Sequence, residues 1–298
     1  MKKFDVIGFG ALNLDRLYRV ERIAKPGEHE KILGAFEAPG GSAANTVAGL
    51  AGLGLRTGFV GAVGTDSTAD ILVGDFKKRK VDIKGIKKKG GFSGTIIGFI
   101  DESGERTLYP YPGVNNLLTK KDVSMDYINQ ASFLHITSFV GDAQLKIQKE
   151  IAQKLRDTKL SFSPGDLYTR KGLGALAPII KKTSILFLNE SEMKELTGKG
   201  YVPGSKKLLD LGVETVVVTL GGKGCFVADK EKEIHAPAKK IKVLDTTGAG
   251  DAFAAGFLYT IVRGGTIGLA AINGNIAASI CIRETGARTC LANRKDLL

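Results

Sequence analysis

The sequence predicts an α/β fold, in which helices flank a mostly parallel central sheet and a small second sheet stands apart from it. The principal observation is the alternation of strand and helix patterns from Ala131 onward. Strands separated by helices of this length form parallel sheets with right-handed crossovers. Two further observations are a glycine-rich stretch at Val243 to Phe257 and a hairpin pattern between Gly91 and Tyr111. The first predicts a turn that starts a helix, and the second predicts a separate pair of strands.

The N-terminal apolar run Phe4 to Phe9 predicts a buried first strand. Asn13 and Asp15 follow its carboxyl end, which faces the ligand crevice in open α/β sheets. The run Gly8-Phe9-Gly10 begins like a dinucleotide fingerprint, but Asn13 stands where the third glycine belongs. This substitution argues against a dehydrogenase. A solvated loop carboxylate is the alternative interpretation of Asp15.

Two segments with little helical periodicity, at about 14–38 and 91–112, predict hairpins outside the central sheet. We expect them to form a lid subdomain of one domain that spans residues 1–298. Flaps of this kind commonly close over a site. The other predicted elements are strands at Phe59 to Val63, Phe133 to Thr137, Leu160 to Phe162, Ile185 to Leu188 and Thr215 to Leu220, and helices at Thr68 to Lys80, Ala143 to Thr158, Ala175 to Lys181 and Ile267 to Ile282.

A glycine turn feeds a helix of small residues between Pro39 and Gly54. In a purely structural interpretation, Ser42 caps a helix that packs closely on the sheet. In a functional interpretation, Gly40 and Gly41 let a polyol approach the backbone, while Asn45 offers a donor and an acceptor to vicinal hydroxyls. The residues alone leave both interpretations open.

Two polar patches follow later strands. The run Asn189 to Glu192 matches a capping box, and its oxygen ligands would equally suit magnesium held through water near a triphosphate. The second patch consists of Thr219, Gly221 and Gly224. These residues predict either a hairpin turn or a segment that lies along the phosphates of a nucleotide. A P-loop is excluded because the chain has no G-x-x-x-x-G-K-[ST] pattern.

The stretch Val243 to Phe257 follows an apolar-alternating run from Ile234 to Val243, which predicts a strand. The glycines of the stretch predict a tight turn, and the residues from Ala252 predict a helix. Gly248 and Gly250 allow close approach of the main chain to a ligand. The first helical turn adds unpaired N–H groups and the positive end of the helix dipole, which suits a phosphate.

Asp251 lies within this predicted phosphate site, where its charge would repel a phosphate. A carboxylate is useful there if it takes a proton from the group that attacks the phosphate. In the alternative interpretation, Asp251 only complements the helix dipole and Asp245 or Thr247 caps the helix. Motifs elsewhere in the chain have to decide between the two.

Composition narrows the class of protein. The net charge is +12, but the basic residues are scattered in short groups, which is typical of a solvated surface and argues against a nucleic-acid partner. The three cysteines are irregularly spaced and indicate a reducing compartment. No apolar run of about 18 residues occurs. We therefore expect a soluble, cytoplasmic protein without a membrane partner.

Five ordered motifs resemble one family. Gly40 to Gly64 resembles the first signature of the ribokinase-like (PfkB) carbohydrate kinases, and Asp245 to Phe257 resembles the second, including its Gly-Ala-Gly-Asp. Three further motifs stand in the family's order: Asn13 and Asp15 after the first strand, Asn189-x-x-Glu192, and Thr219-Leu220-Gly221-x-x-Gly224. The resemblance therefore spans nearly the whole chain. A catalytically silent nucleotide-binding regulator remains the alternative of a different class, although it would need a damaged Gly-Ala-Gly-Asp.

The resemblance implies a Rossmann-like sheet and transfer of the γ-phosphate of ATP to a hydroxymethyl group of a sugar or nucleoside, with Mg²⁺. It also implies a homodimer formed through the lid, and K⁺ as a further ion. The residue roles that it implies are Asp251 as base; Gly248, Ala249 and Gly250 as anion hole; Asn13, Asp15, Gly40, Gly41 and Asn45 for the sugar; Asn189, Thr219, Gly221, Gly224 and Asn275 for ATP; Glu192 for Mg²⁺ through water; and Asp245 and Thr247 for a monovalent cation.

The substrate is less defined than the reaction. Ribokinases usually carry a carboxylate near the end of the strand that ends here in Thr137, followed by Ser138, and the surrounding His-Ile-Thr run looks closer to archaeal nucleoside kinases. Arg16, Arg106 and Arg170 would alternatively suit a substrate phosphate or carboxylate, because arginine binds such groups through two hydrogen bonds. A sugar acid or sugar phosphate is therefore the second substrate class.

Overall fold

The computed structural model describes residues 2–102 and 106–298. The strands are β1 (Phe4–Phe9), β2 (Asn13–Val20), β3 (Ile32–Gly40), β4 (Thr57–Val63), β5 (Asp82–Lys88), β6 (Gly94–Ile100), β7 (Arg106–Tyr111), β8 (Ala131–Thr137), β9 (Lys159–Ser163), β10 (Ile185–Asn189), β11 (Thr215–Thr219), β12 (Cys225–Ala228) and β13 (Glu233–Ala236). The helices are α1 (Ser42–Gly52), α2 (Ser67–Lys78), α3 (Met125–Ile128), α4 (Asp142–Lys154), α5 (Gly165–Thr169), α6 (Gly172–Ile180), α7 (Glu190–Thr197), α8 (Tyr201–Asp210), α9 (Ala249–Val262) and α10 (Ile267–Cys281), with short 3-10 turns at Gly113–Leu117, Lys120–Asp122 and Gly221–Lys223.

Within residues 2–102 and 106–298, the central sheet has nine strands in the order β13-β12-β11-β10-β9-β8-β1-β4-β5. The strands from β11 to β5 are parallel, and β12 and β13 are antiparallel. Every residue of β4 is buried, as expected for a strand covered by helices on both faces. Strand β1 lies between β4 and β8. The chain first continues to β4 and β5 on one side of β1 and later returns to form β8 on the other side. The carboxyl end of β1 is therefore a topological switch point, where α/β proteins bind ligands. The predicted α/β class is confirmed.

A separate sheet, formed by four of the described strands in the order β3-β2-β6-β7, stands beside the switch point. Asn13 and Asp15 lie on β2 of this sheet, opposite Gly40 and Ala38 of β3, rather than in a loop after β1. The hairpin pattern between Gly91 and Tyr111 places its turn at Asp101 to Glu105. Residues 103–105 of this turn and the side chain of Arg106 lie outside the described residues.

Helix α9 runs through the core. All residues from Ala252 to Thr260 are buried, because α9 packs between α1, α10 and the sheet. A Cβ at Gly256 would lie 2.5 Å from the carbonyl oxygen of Asn273, so glycine permits the close contact with α10. This packing holds the first turn of α9 rigidly against the rest of the molecule. Within the described ranges, no helix is long and apolar enough to cross a membrane.

The strand predicted from Ile234 to Val243 forms only at its N-terminal end. Strand β13 ends at Ala236, and residues 237–248 have no helix or strand before α9. In the part of the chain that the structure describes, β13 is an edge strand that pairs only with β12, and Pro237 has no N–H to continue the ladder. The side-chain amide of Asn275 donates to the carbonyls of Ala236 and Pro237 instead.

The sequence reasoning also missed β5 and α8. Strand β5 is a lysine-rich edge strand with little alternation, and Pro203 and Gly204 interrupt the helical pattern of α8.

Candidate active site

Asp251 lies in the first turn of α9 and faces the first turn of α1. Its Oδ1 accepts a hydrogen bond from Ser42 Oγ at 2.5 Å, and its Oδ2 accepts one from Asn45 Nδ2 at 2.8 Å. Gly41, with φ +100°, is the N-cap of α1, so the predicted capping role of Ser42 is wrong. Its hydroxyl instead links the two helices that carry the two signature stretches.

The surroundings of Asp251 raise its pKa and so favour its acting as a proton acceptor. Burial raises the pKa of Asp251 to about 6, although hydrogen bonds from Ser42 and Asn45 and the charge of Arg288 lower it. A carboxylate of this pKa is ionised at neutral pH and binds a proton more readily than an exposed aspartate. This arrangement suits a general base.

Arg288 is a functional candidate that the sequence reasoning did not single out. Its side chain is buried, and its Nε donates to Asn45 Oδ1 at 2.7 Å while Nη2 donates to the carbonyl of Gly40 at 2.9 Å. No pattern around position 288 signals this, because its partners lie more than 240 positions earlier in the chain.

Asp15 lies close to the same corner. Its Oδ1 is buried without a hydrogen-bond partner among the described residues, and burial raises the pKa of Asp15 to about 7. A Cβ at Gly40 would lie 2.2 Å from Asp15 Oδ2, so only glycine allows this approach. The side-chain oxygen of the neighbouring Asn13 accepts from Asn115 Nδ2 at 2.9 Å, a partner that the sequence reasoning also missed.

A cavity of about 550 Å³ reaches the first turn of α9. Thr219, Gly221, Gly224 and Asn275 line it, which brings together four of the five residues predicted for ATP. A pocket of this size holds a ligand of nucleotide dimensions. Its walls also include Ala249 and Gly250, so the cavity ends beside Asp251.

The turn before α9 is built around Gly248. This residue is the N-cap with φ +77°, so Asp245 and Thr247 do not cap the helix. A Cβ at Gly250 would meet nothing within 4 Å, whereas the Ala249 N–H already donates to the Thr246 carbonyl at 3.2 Å. Given this hydrogen bond and the open space at Gly250, the backbone of Gly250 is more accessible to an anion than the backbone of Ala249.

Asn189 and Glu192 form the predicted capping box. Asn189 Oδ1 accepts from the Glu192 N–H at 2.8 Å, and Glu192 Oε2 accepts from the Asn189 N–H at 3.0 Å. Burial, together with the charges of Asp166 and Asp251, raises the pKa of Glu192. The negative potential shared by these carboxylates suits a cation bound through water. The described residues contain no cluster of three or more His, Cys, Asp or Glu that holds a metal ion directly.

Asp245 connects the turn before α9 with the Gly286 loop. Its Oδ1 accepts from the N–H and hydroxyl of Thr247 at 2.9 and 2.7 Å, and its Oδ2 accepts from the Gly286 N–H at 2.9 Å. The carboxylate thus holds the Gly286 loop against the start of α9.

Of the three arginines predicted for an anionic substrate, the two with described side chains, Arg16 and Arg170, lie elsewhere. Arg16 pairs with Glu37 at 2.8 Å on the opposite face of β2 from Asp15, and Arg170 is exposed and pairs with Asp166 at 3.2 Å. Neither points into the corner formed by Asp15, Asn45 and Asp251.

Comparison with known proteins finds relatives in sequence and in fold. An uncharacterized sugar kinase of Archaeoglobus fulgidus is 36% identical over 251 residues, which cover 83% of this chain and 100% of that one. The ribokinase structure from Thermotoga maritima superposes with a TM-score of 0.88 at 26% identity and covers 98% of this chain and 97% of that one. A nucleoside kinase structure from Methanocaldococcus jannaschii gives a TM-score of 0.86 at 26% identity, with 99% and 96% covered.

The sequence also matches the pfkB family carbohydrate kinases over residues 3–294. Because this match spans nearly the whole chain, including both glycine signatures, the chain belongs to the pfkB family of carbohydrate kinases.

Proposed function

We propose that the chain transfers the γ-phosphate of ATP to a hydroxymethyl group of a neutral sugar or nucleoside, with Asp251 as the base. The observation that carries this proposal is the position of Asp251. It stands where the cavity lined by Thr219 and Asn275 ends, and where Asn45 of α1 reaches the start of α9. A donor nucleotide on one side and a hydroxyl acceptor on the other would meet at this carboxylate.

The proposed chemistry needs positioning and charge stabilisation rather than covalent catalysis. Asp251 removes the proton of the acceptor hydroxyl, whose oxygen forms a bond to the γ-phosphorus while the bond to the β,γ-bridging oxygen breaks and ADP leaves. Backbone N–H groups of the Gly248 to Gly250 turn stabilise charge on the transferred phosphoryl group. Asn189 and Glu192 would hold the hydration shell of Mg²⁺, which supplies neutralisation of the triphosphate charge. Asp245 and Thr247 with the Gly286 loop are the proposed place for a monovalent cation such as K⁺.

Asp15 supports a neutral acceptor. A buried carboxylate oxygen without a partner is stabilised by a hydroxyl donor and repels an anionic group. Asn13, Gly40, Gly41 and Asn45 would complete the sugar site. A sugar acid or sugar phosphate is the second candidate, but Arg16 and Arg170 are already paired elsewhere.

The test is ATP turnover against matched acceptors: ribose and other neutral sugars, nucleosides, sugar acids and sugar phosphates. We expect phosphorylation of a neutral member at its hydroxymethyl oxygen, identified by phosphorus NMR of the product. A preference for the anionic members would overturn the substrate class. Binding of ATP without phosphorylation of any member would favour the catalytically silent regulator.

The pH profile is a second expected result. Because Asp251 has a pKa of about 6 and Asp15 one of about 7, both lose their negative charge as the pH falls through that range. We expect kcat/KM for the acceptor to fall as the pH is lowered from 8 to 5, since this parameter reports ionisation of the free enzyme. Stopped assays in a constant ionic-strength buffer series measure it, and a flat profile down to pH 5 would contradict the assignment.

We also propose that the chain forms a homodimer through the small sheet. Among the described strands, β7 pairs only with β6, and its side chains Leu108, Tyr109 and Tyr111 are about half exposed, at 49%, 58% and 51%. Open apolar strand edges are usually covered. We expect sedimentation equilibrium to give twice the chain mass and Tyr109→Glu combined with Tyr111→Glu to give the monomer. A wild-type monomer at micromolar concentration would refute this.

A further inference from the structure

Arg288 contacts three separate elements from one buried position. It is 4% exposed, and besides Asn45 of α1 and Gly40 of β3 it reaches Asp75 of α2, with Nη1 and Oδ2 2.6 Å apart. The centre of its guanidinium group also lies 5.3 Å from the ring centroid of Phe76. A buried arginine is costly unless it is paired and fully hydrogen-bonded, and these partners satisfy it.

The contact with Asn45 has a directional consequence. A side-chain amide has a donor end and an acceptor end, whereas a guanidinium group only donates and an ionised carboxylate only accepts. Asn45 lies between Arg288 at 2.7 Å and Asp251 at 2.8 Å. Arg288 therefore admits only the orientation in which the amide nitrogen of Asn45 points at Asp251.

We propose that Arg288 is a positioning residue for phosphoryl transfer, which holds the Asn45 amide toward Asp251 and the Gly40 turn beneath Asp15. This inference rests on the proposed function, in which Asp251 is the base. Through Asn45, Arg288 fixes the direction of the carboxylate that receives the proton. Through the Gly40 carbonyl, it fixes the backbone against which Asp15 lies.

A second arginine separates this role from a purely structural one. Asp75 also accepts from Arg79, with Oδ1 and Nε 2.9 Å apart, and Arg79 Nη2 donates to the Arg288 carbonyl at 3.1 Å. Arg79 has no described contact with Asn45 or Gly40. Asp75 thus keeps a partner when Arg288 is replaced, and Arg79→Met is a matched control that removes an arginine from the same carboxylate.

The primary test is Arg288→Met, measured with the best acceptor at saturating ATP. We expect kcat to fall by about 10²-fold, the loss typical of misplaced reacting groups, while KM for ATP changes less than about twofold. Because the positive charge of Arg288 lowers the pKa of Asp251, its removal should move the acidic limb of the profile to higher pH. Arg79→Met should keep both kcat and the limb. If Arg288→Met behaves like Arg79→Met, the proposal is overturned.

Arg288→Lys separates charge from orientation, and it also serves if Arg288→Met does not fold. Lysine keeps the charge but lacks the planar fork that reaches three partners. We expect it to leave the pH limb in place while kcat remains low. Full recovery of kcat would show that charge alone is needed and would overturn the positioning role.

A double-mutant cycle with Asn45→Ala tests the route of action. If Arg288 acts through Asn45, the variant with both changes should be no slower than the slower single variant, whereas independent effects multiply. Multiplication would overturn the proposal. Full activity of Asn45→Ala and Asp251→Asn would instead refute the proposed function itself, so the two failures are distinguishable.

Discussion

Asp251→Asn should bind ATP and the acceptor but lose turnover by about 10² to 10⁴-fold, the usual contribution of a general base. Asparagine preserves the size of the side chain and its place between Ser42 and Asn45, yet it cannot take the proton of the acceptor hydroxyl. Single-turnover phosphorylation measures the chemical step, and isothermal titration calorimetry measures the binding of each substrate. Near-normal turnover would exclude Asp251 as the base.

Asp70→Asn is the matched control for this experiment. Asp70 is exposed in the first turn of α2, so it shares with Asp251 the favourable interaction with a helix dipole. If Asp251 only complemented the dipole of α9, both variants would lose about 0.3–1 kcal/mol of stability and keep turnover. A large loss of turnover in Asp251→Asn alone would favour a catalytic role for Asp251 over a role limited to the helix dipole.

Gly248→Ala is expected to damage both stability and catalysis. Gly248 has φ +77°, and a Cβ there would lie 2.4 Å from the Cβ and 2.7 Å from the Cα of Ala287. The backbone of the Gly286 loop must move, and with it the neighbouring Arg288 and the first turn of α9. We expect the free energy of unfolding to fall by about 1–3 kcal/mol and kcat by about 10²-fold or more.

Gly250→Ala provides the comparison two positions away. Its added Cβ meets nothing within 4 Å and its φ is not positive, so we expect stability to be retained or slightly increased. Gly250 lines the cavity proposed for ATP, so its effect should appear mainly as a higher KM for ATP. Chemical denaturation and steady-state kinetics on both variants measure these differences. Equal behaviour of the two variants would contradict the role assigned to the Gly248 turn.

Much of the fold was accessible from local patterns. Parallel strands covered on both faces are continuous apolar runs, which is why β1 and β4 were recognised with little error. Edge strands lack this signal, because water takes the place of a neighbouring strand. That is why the extent of β13 was overestimated and the lysine-rich β5 was missed.

The candidate site divides in the same way. The Gly-Ala-Gly-Asp run and the Gly-Gly run before α1 each have a structural and a functional interpretation. The order of these runs and of the other motifs along the chain favoured phosphate and polyol chemistry. By itself, the sequence determined the α/β class, the kinase family and the identity of Asp251 as the candidate base.

Only the tertiary structure decided how that base is held. Ser42 and Asp251 are 209 positions apart, and Asn45 and Arg288 are 243 apart, so no local pattern reports their hydrogen bonds. The burial that raises the pKa of Asp15 arises where its side chain packs against Gly40, 25 positions further along the chain. Periodicity and turn chemistry are properties of neighbouring residues, whereas desolvation and side-chain orientation depend on which distant elements the packing brings together.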